Sequence, residues 1–572
     1  MVPAADHQVA AIRRLTGATA DIGAVGASAA VRLDERLQHA DQPAGRVALL
    51  DAAIDELDRV GDALDAVDLG SDQGLIGPLG AAHDDLESTI TRARHKVDDG
   101  RQLLEPVRDM LQGPSRFLLL ATNNSEMAGG SGLALSAGIM TFDGGDMVLG
   151  DVVPAGDLRL PASVEVPDEL RRIYRPTGVG IDFRSATRSP NLPAMGPVVA
   201  SMVEQLDPKA LGVDSVDGVI VVDPLTLRSV LELTGPVEVR GRRIDASNVL
   251  PAVLHDNYTQ FDSPEDRPDR VSYQGDIAKA VFDLVTERDV PAAELAQALL
   301  ESSQGRHLMI WADDAPLQHV WQELGVDGSL VPNGLMISFQ NYAANKLDWY
   351  LRPRASMDVQ LLPSGDYRAH LTMTMAVPPL SDLTDASPYI IGPDPGQQGT
   401  FLTVHLPTAA YDITTTDPAG FDTKGVDGPS QVRTFLVEVP NGTTLERSLD
   451  FSLPRSTSAL TLLPSARVEP LPLVVDGVTT LDDAKPRYVT WLAAIPPRAP
   501  DDGAPMPVRI LVVMGSLLTL TGAAAVAWHV WRSRTRSASP RLLDVARLAA
   551  GVALLSFALA GIFGLMLSAP RV

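Results

Sequence analysis

The chain has 572 residues, enough for three or four domain cores, and its 45% hydrophobic and 21% charged content belongs to folded protein rather than to disorder. A formal net charge of -25 excludes a general nucleic-acid binder, since phosphate backbones demand clustered Lys and Arg. The absence of cysteine excludes a thiolate nucleophile, a Cys-ligated zinc and any disulfide.

Residues 1–113 are predicted to be helical. VALLDAAIDELDRVGDALDAVDL and DDLESTITRARHKVDDGRQLLEPVRDML place apolar residues three and four apart, with a break between Gly70 and Gly80. An α-helical hairpin or stalk is expected. At Gly113-Pro114 the pattern changes. RFLLLATN has strand length, and LALSAGIMTFD followed by DMVLGDVV predicts a strand–turn–strand turning at Asp143-Gly144-Gly145. DGVIVVDP, from Asp217 to Pro224, carries a buried-strand signal. The helix LTLRSVLEL, the breaker Thr234-Gly235-Pro236 and the strand VEVRG follow it. Strands alternating with helices predict a partly parallel α/β domain over 114–354. Over 355–480, MDVQLL, YRAHLTMTMAV, GTFLTVHLP and VRTFLVEVP alternate with period two and predict an immunoglobulin-like or related β-sandwich.

A Pro-rich linker at 481–507 leads to two uncharged apolar runs in 508–572, Ile510 to Trp528 and Ala549 to Leu567. Each nearly spans a hydrocarbon core of roughly 30 Å, so a transmembrane helical hairpin is expected. The loop between them carries Arg532, Arg534, Arg536 and Arg541 without an acid and is expected on the cytoplasmic side. The body would then be extracytoplasmic, held at the cytoplasmic membrane. Residues 1–30 contain no export signal of the needed strength, which leads to the expectation of a membrane segment upstream of Met1.

Three polar clusters stand out. Asn123, Asn124 and Glu126 follow an apolar strand, where α/β proteins place ligands, and Gly129, Gly130 and Gly132 permit close backbone approach. A glycine-rich hairpin with Asn side chains serving the turn explains the same residues equally well. IDFRSATRSPNLP offers Asp182, Arg184, Arg188 and Asn191. LHDNYTQFDSPEDRPDRVSYQ offers His255, Asp256, Tyr258, Arg267, Arg270 and Gln274. Arg forks suit phosphate, while salt bridges to neighbouring Asp are the alternative. His255 reads as structural, with no HExxH and no second His nearby.

Four stretches together resemble the bacterial DUF4012 family of unknown function: LLLATNNSEMAGGSGLALSAGIMTFDGG, DGVIVVDPLTLRSVLELTGPVEV, NVLPAVLHDNYTQF and FQNYAANKLDWYLRP. The resemblance runs over roughly 1–480 and implies an N-terminal membrane helix but no activity. The middle domain is also distantly similar, in its order of parts, to LytR–CpsA–Psr enzymes. That similarity implies phosphotransfer of glycopolymers from a lipid pyrophosphate, with Arg side chains on the pyrophosphate and a carboxylate with a divalent metal assisting. The matching places are partly filled. NNSEMAGGSG has no Arg, and VVPAGD lacks an Arg-Asp pair and leaves Asp157, while Arg267 and Arg270 fall at the later Arg cluster.

The expected function is a cell-envelope protein that binds, and when active transfers, a phosphate-linked cell-wall glycopolymer. In that case Asn123, Asn124, Glu126, Arg184, Arg188, Arg267 and Arg270 would bind the ligand. Asp157 and Asp182 would be catalytic, and Glu126, Asp157 and Asp182 would hold Mg²⁺. The alternative is a non-catalytic envelope scaffold that binds partner proteins. No GxSxG elbow supports a hydrolase.

Overall fold

In the computed structural model, residues 2–490 are described, apart from 38–42, 264, 288–291, 396, 458 and 478. Three helices open the chain, Val2–Leu37, Pro43–Asp65 and Gly77–Gln112. Their apolar stripes bury Val47, Leu50 and Ile54 on the second and Ile90, Val97, Val107 and Leu111 on the third. The third begins with Pro78 in its first turn. It stops at Gly113, whose φ of 61° lets the chain turn away. These helices do not stand free as a stalk. Leu50, Val107 and Leu111 share a core with Phe117, Met140, Phe142 and Trp321 of the following body.

Ser115–Ala128 and Ser131–Asp143 form a long antiparallel hairpin, in register from Ser115 opposite Phe142 to Ala128 opposite Ser131. The tight turn at Gly129-Gly130 makes the pair antiparallel, since a parallel neighbour would need a crossover of a dozen residues. Gly218–Val222 lies parallel to the first strand, and Leu308–Ala312 pairs antiparallel on its far side. Asp223 caps the helix Pro224–Thr234 by accepting from the amides of Leu225 and Thr226. The helices Arg267–Glu287 and Ala292–Gln304 follow.

The sheet continues past the α/β region. Gln340 of Gly334–Asn341 pairs with Ala128, and that strand then pairs with Gln397–Leu406, which pairs with Ser430–Pro440. The result is one 12-stranded sheet. A second, six-stranded sheet contains Arg352–Leu361, Tyr367–Ala376 and Thr444–Leu453. Between the two sheets Phe339, Leu371, Met373, Leu402, Phe435 and Phe451 are fully buried.

This corrects the expected architecture of stalk, partly parallel α/β domain, separate β-sandwich and membrane hairpin. The fold is mixed α/β with large, mostly antiparallel sheets. Parallel pairing is confined to Ser115–Ala128 with Gly218–Val222, Arg352–Leu361 with Leu473–Val475, and Ala459–Leu462 with Gly334–Asn341 among the described residues. Short apolar runs do not encode the direction of their partners: the strand in DGVIVVDP pairs parallel with Ser115–Ala128 but antiparallel with Leu308–Ala312. Among the described residues no helix is long and apolar enough to cross a membrane. The segments Ile510 to Trp528 and Ala549 to Leu567, on which the hairpin was expected, lie outside the described residues, as does most of the linker.

Candidate functional site

The polar stretch after LLLAT is the end of the first hairpin strand, not a loop beyond it. Two irregularities in register, at Ala121/Thr122 and between Asn123 and Met127, bend the strand there. The bend sends consecutive side chains to different partners. Asn123 is buried, donates from Nδ2 to the Tyr258 hydroxyl and accepts at Oδ1 from the amide and hydroxyl of Ser125. Asn124 donates from Nδ2 to Asp223 at 2.7 Å and to the Ala466 carbonyl at 2.7 Å. Asp223 also binds His307 Nδ1 at 2.7 Å, so Asn124 belongs to a buried network with Asp223 and His307. Glu126 forms an ion pair with Lys346 at 2.6 Å, a lysine that is 2% exposed.

Around Glu126 the distant Arg residues come together. Arg184 reaches Asp182 at 2.6 Å, and Arg267 reaches Asp157 at 2.8 Å. Both guanidinium side chains pass within 4 Å of the place a Cβ on Gly156 would occupy. Arg188 is buried, donates to the Asn341 carbonyl at 3.2 Å and has no partner for Nε. Burial lowers its pKa to about 10, against the opposing pull of Glu126 and Asp182. Arg270 donates to the Phe261 carbonyl at 2.6 Å and lies 4.1 Å from the centre of the Tyr389 ring. Tyr389 stacks on Tyr258 with centroids 5.6 Å apart, and Lys346 sits 4.4 Å over Tyr258.

Burial would lower the Lys346 pKa, but Glu126 and the two phenols outweigh it and hold the ammonium above its ordinary value. Burial likewise pushes Asp182 up, yet hydrogen bonds from the Arg184 side chain and amide prevail and keep its carboxyl below the usual range. Asp348, buried and raised by that burial, accepts from the Met127 amide at 2.9 Å and is answered by Arg467. Five cations therefore gather around three paired carboxylates. Arg188 and Arg270 have no carboxylate within salt-bridge distance among the described residues.

Beside this cluster lies an apolar cavity of about 260 Å³. Leu119, Ile220 and Val222 of the sheet form one wall, and Leu227, Ala278 and Val281 of the helices form the other. Its polar lining includes Asn123 and Gln274, and both donate to the Tyr258 hydroxyl. Two of its lining side chains thus reach the aromatic stack that carries Lys346 and Arg270.

Of the residues singled out from sequence, Glu126, Asp157, Asp182, Arg184, Arg188, Arg267 and Arg270 fall in this neighbourhood. Asn123 links it to the cavity, and Asn124 turns away. Lys346 and Tyr389 were missed. Lys346 lies within FQNYAANKLDWYLRP, where a lysine between polar and apolar residues was the one available signal. His255 sits on a π-helical turn, Ala252–Asp256, with Nδ1 against Asp256 and Nε2 against the Tyr350 hydroxyl, both at 2.8 Å. Both ring nitrogens are thus occupied, as a structural histidine requires. For a cation, Glu126, Asp157 and Asp182 supply the oxygen ligands Mg²⁺ prefers, but each is already bound to an ammonium or guanidinium.

A family model described as "Protein of unknown function (DUF4012)" matches residues 112–258. Residues 112–258 belong to the DUF4012 family. The DUF4012 segment spans the glycine hairpin, the Asp182–Arg188 loop and Tyr258, and so supplies part of the cation cluster, one cavity wall and Leu227 of the other. The rest of the cluster, Arg267, Arg270, Lys346 and Tyr389, lies beyond it. No curated protein and no solved structure matches the chain, and the match does not extend to the LytR–CpsA–Psr likeness.

Proposed function

We propose that the protein binds an amphiphile with a long apolar chain and a phosphate-bearing head, the chemistry of a lipid-linked cell-wall glycopolymer. One observation carries this reading: Asn123 and Gln274 line the apolar cavity and both donate to the hydroxyl of Tyr258, over whose ring Lys346 and Arg270 lie. An apolar cavity of this size favours hydrocarbon, and convergent guanidinium forks favour phosphate oxygens. The surplus of two cations over carboxylates matches a dianionic head. A lipid-linked ligand would hold the body at a membrane surface, on the extracytoplasmic side where such polymers are assembled. Transfer would additionally require that the head draw Arg184 or Arg267 away from Asp182 or Asp157, freeing a carboxylate to act as base or to take Mg²⁺. A scaffold reading draws on the three carboxylates that already pair three of the cations.

The test is calorimetric titration of the purified protein with farnesyl pyrophosphate, with inorganic pyrophosphate and with farnesol. Farnesyl pyrophosphate should bind at least tenfold more tightly than either part alone. Replacing both exposed residues in Arg184→Ala/Arg267→Ala should weaken both pyrophosphate ligands by about tenfold or more, as loss of charge-assisted hydrogen bonds implies. Ala278→Trp should remove the advantage of the farnesyl chain and leave pyrophosphate binding intact. Equal binding of the two pyrophosphates, or none, would establish the scaffold reading.

A further inference from the structure

The helical lead carries a separate group of ligating atoms that is independent of the cation cluster. On the helix Gly77–Gln112, His83, Asp84 and Glu87 bring one imidazole nitrogen and two carboxylate oxygens within 4.8 Å of one another. His83 and Glu87 are four residues apart and so share a helix face. Asp84 is one residue along and reaches in from an exposed position, its side chain 71% accessible.

The histidine is the informative member. Its residue is 6% exposed, and its Nε2 lies 3.1 Å from the Gly70 carbonyl. A carbonyl only accepts, so Nε2 carries the proton, and in the neutral ring Nδ1 keeps a bare lone pair. Nδ1 is buried with no hydrogen-bond partner. The Asp84 carboxylate stands 3.6 Å away, near enough for charge attraction to a protonated ring but too far for a hydrogen bond. Three acceptors therefore converge with no donor among them.

The backbone fixes this arrangement. Gly70 adopts φ of 73° at the end of an Asp68 turn, its amide donating to the Asp68 carboxylate at 2.8 Å, and that conformation presents its carbonyl to His83. Arg14 packs its guanidinium on Gly70. The Gly70 carbonyl holds the ring as backbone carbonyls commonly hold a metal-bound histidine, by accepting from the nitrogen that does not ligate.

We propose that His83 Nδ1, Asp84 and Glu87 form a binding site for a divalent transition metal, with zinc as the best-matched ion. One imidazole and two carboxylates suit zinc at about 2.0–2.2 Å per ligand, with water in the fourth position. The two carboxylates that would close on the ion are on exposed side chains. The metal would tie the helix to the Gly70 loop through the imidazole, and so stiffen the link between the second and third helices.

The experiment uses the full chain, stripped with chelator and titrated with ZnCl₂ by calorimetry, with thermal unfolding measured in parallel. The variant Asp84→Asn/Glu87→Gln keeps shape at two exposed positions and leaves the buried His83 untouched. The parent should bind one more equivalent of zinc than the variant and should gain a zinc-dependent rise in Tm that the variant lacks. A Co²⁺ titration should give visible absorption of a low-coordinate site in the parent alone. Equal stoichiometry and equal Tm response in parent and variant, or no binding by the parent, would overturn the site.

Discussion

Removing the Lys346 ammonium tests how the cation cluster is held together. Lys346 and Glu126 meet at 2.6 Å with side chains 3% and 15% accessible, and the lysine also lies over Tyr258. Lys346→Met keeps most of the apolar stem and leaves Glu126, largely buried, without its ion-pair partner and with only the longer-range attraction of Arg184 and Arg188. Breaking a buried pair in this way costs about 3–5 kcal/mol, and the residual access of Glu126 to water puts the expectation near the lower end, about 3 kcal/mol. Glu126→Gln/Lys346→Met removes both charges and should lose much less than the two single changes added together, by about 1.5 kcal/mol or more. Urea unfolding of the parent, both singles and the double, followed by tryptophan fluorescence, measures the cycle. A pH series adds a second check. Lys346 is held above its ordinary value, so its contribution is complete below the unfolded lysine pKa of about 10.4 and is lost as pH rises through the higher folded value. The gap between parent and Lys346→Met should therefore stay constant through neutral pH and narrow only above about pH 10. A single-mutant cost under about 0.5 kcal/mol, or strict additivity in the double, would refute the pairing argument.

Two further outcomes follow from particular backbone and side-chain positions. At Gly129, with φ of 39°, an added methyl would overlap the Arg188 carbonyl, whereas Gly144, with φ of 58°, has nothing within 4 Å of such a methyl. Gly129→Ala should cost about 2 kcal/mol or more and weaken pyrophosphate binding, while Gly144→Ala should cost only about 1 kcal/mol; equal losses in thermal unfolding would contradict the close approach. His405 is fully buried, and burial, reinforced by Arg306, pushes it down to about 3. The unfolded chain therefore takes up a proton first, and stability present above about pH 6.5 is lost progressively toward pH 3; His405→Leu should flatten that acid limb in urea midpoints, and parallel curves for parent and variant would exclude His405 as its source.

How much of this was legible in the sequence depended on the range of the interaction. Local signals read well: the apolar stripe from Ile90 to Leu111, the turn at Asp143-Gly144-Gly145 between paired strands, and the helix Pro224–Thr234 closed by Gly235 all depend on neighbours a few residues away. The clusters around Asp182–Arg188 and Tyr258–Arg270 were visible as polar residue types set among apolar runs. Their convergence was not, because it is made by strand pairing between Ala128 and Gln340, more than two hundred residues apart. That same pairing delivers Lys346 to Glu126 and joins the α/β region to the β-rich part in one sheet. Asn123 and Asn124 show the opposite failure. Adjacent in sequence and alike in chemistry, they diverge because the bend in the strand sends one to Tyr258 and the other to Asp223.

The charge arrangement itself favours exchange over simple filling. Five cations placed together without anions would repel one another and leave donors unsatisfied, and Glu126, Asp157 and Asp182 answer three of them. Asp348, the fourth carboxylate in reach, answers Arg467 instead. Under the proposed function, a phosphate head would compete with those carboxylates, and the competition would be uneven. The pairs Arg184–Asp182 and Arg267–Asp157 are about half exposed and so hold weakly, whereas Lys346–Glu126 is buried and holds firmly. The exposed pairs would yield first, turning their guanidinium groups toward the head while Arg188 and Arg270, which have no carboxylate to give up, bind it directly. If the protein binds such a head, Lys346 and Glu126 would be the fixed frame of the site and Arg184 and Arg267 its moving parts. Deleting the first pair's partner should therefore register in stability, and deleting the second pair's cations should register in affinity.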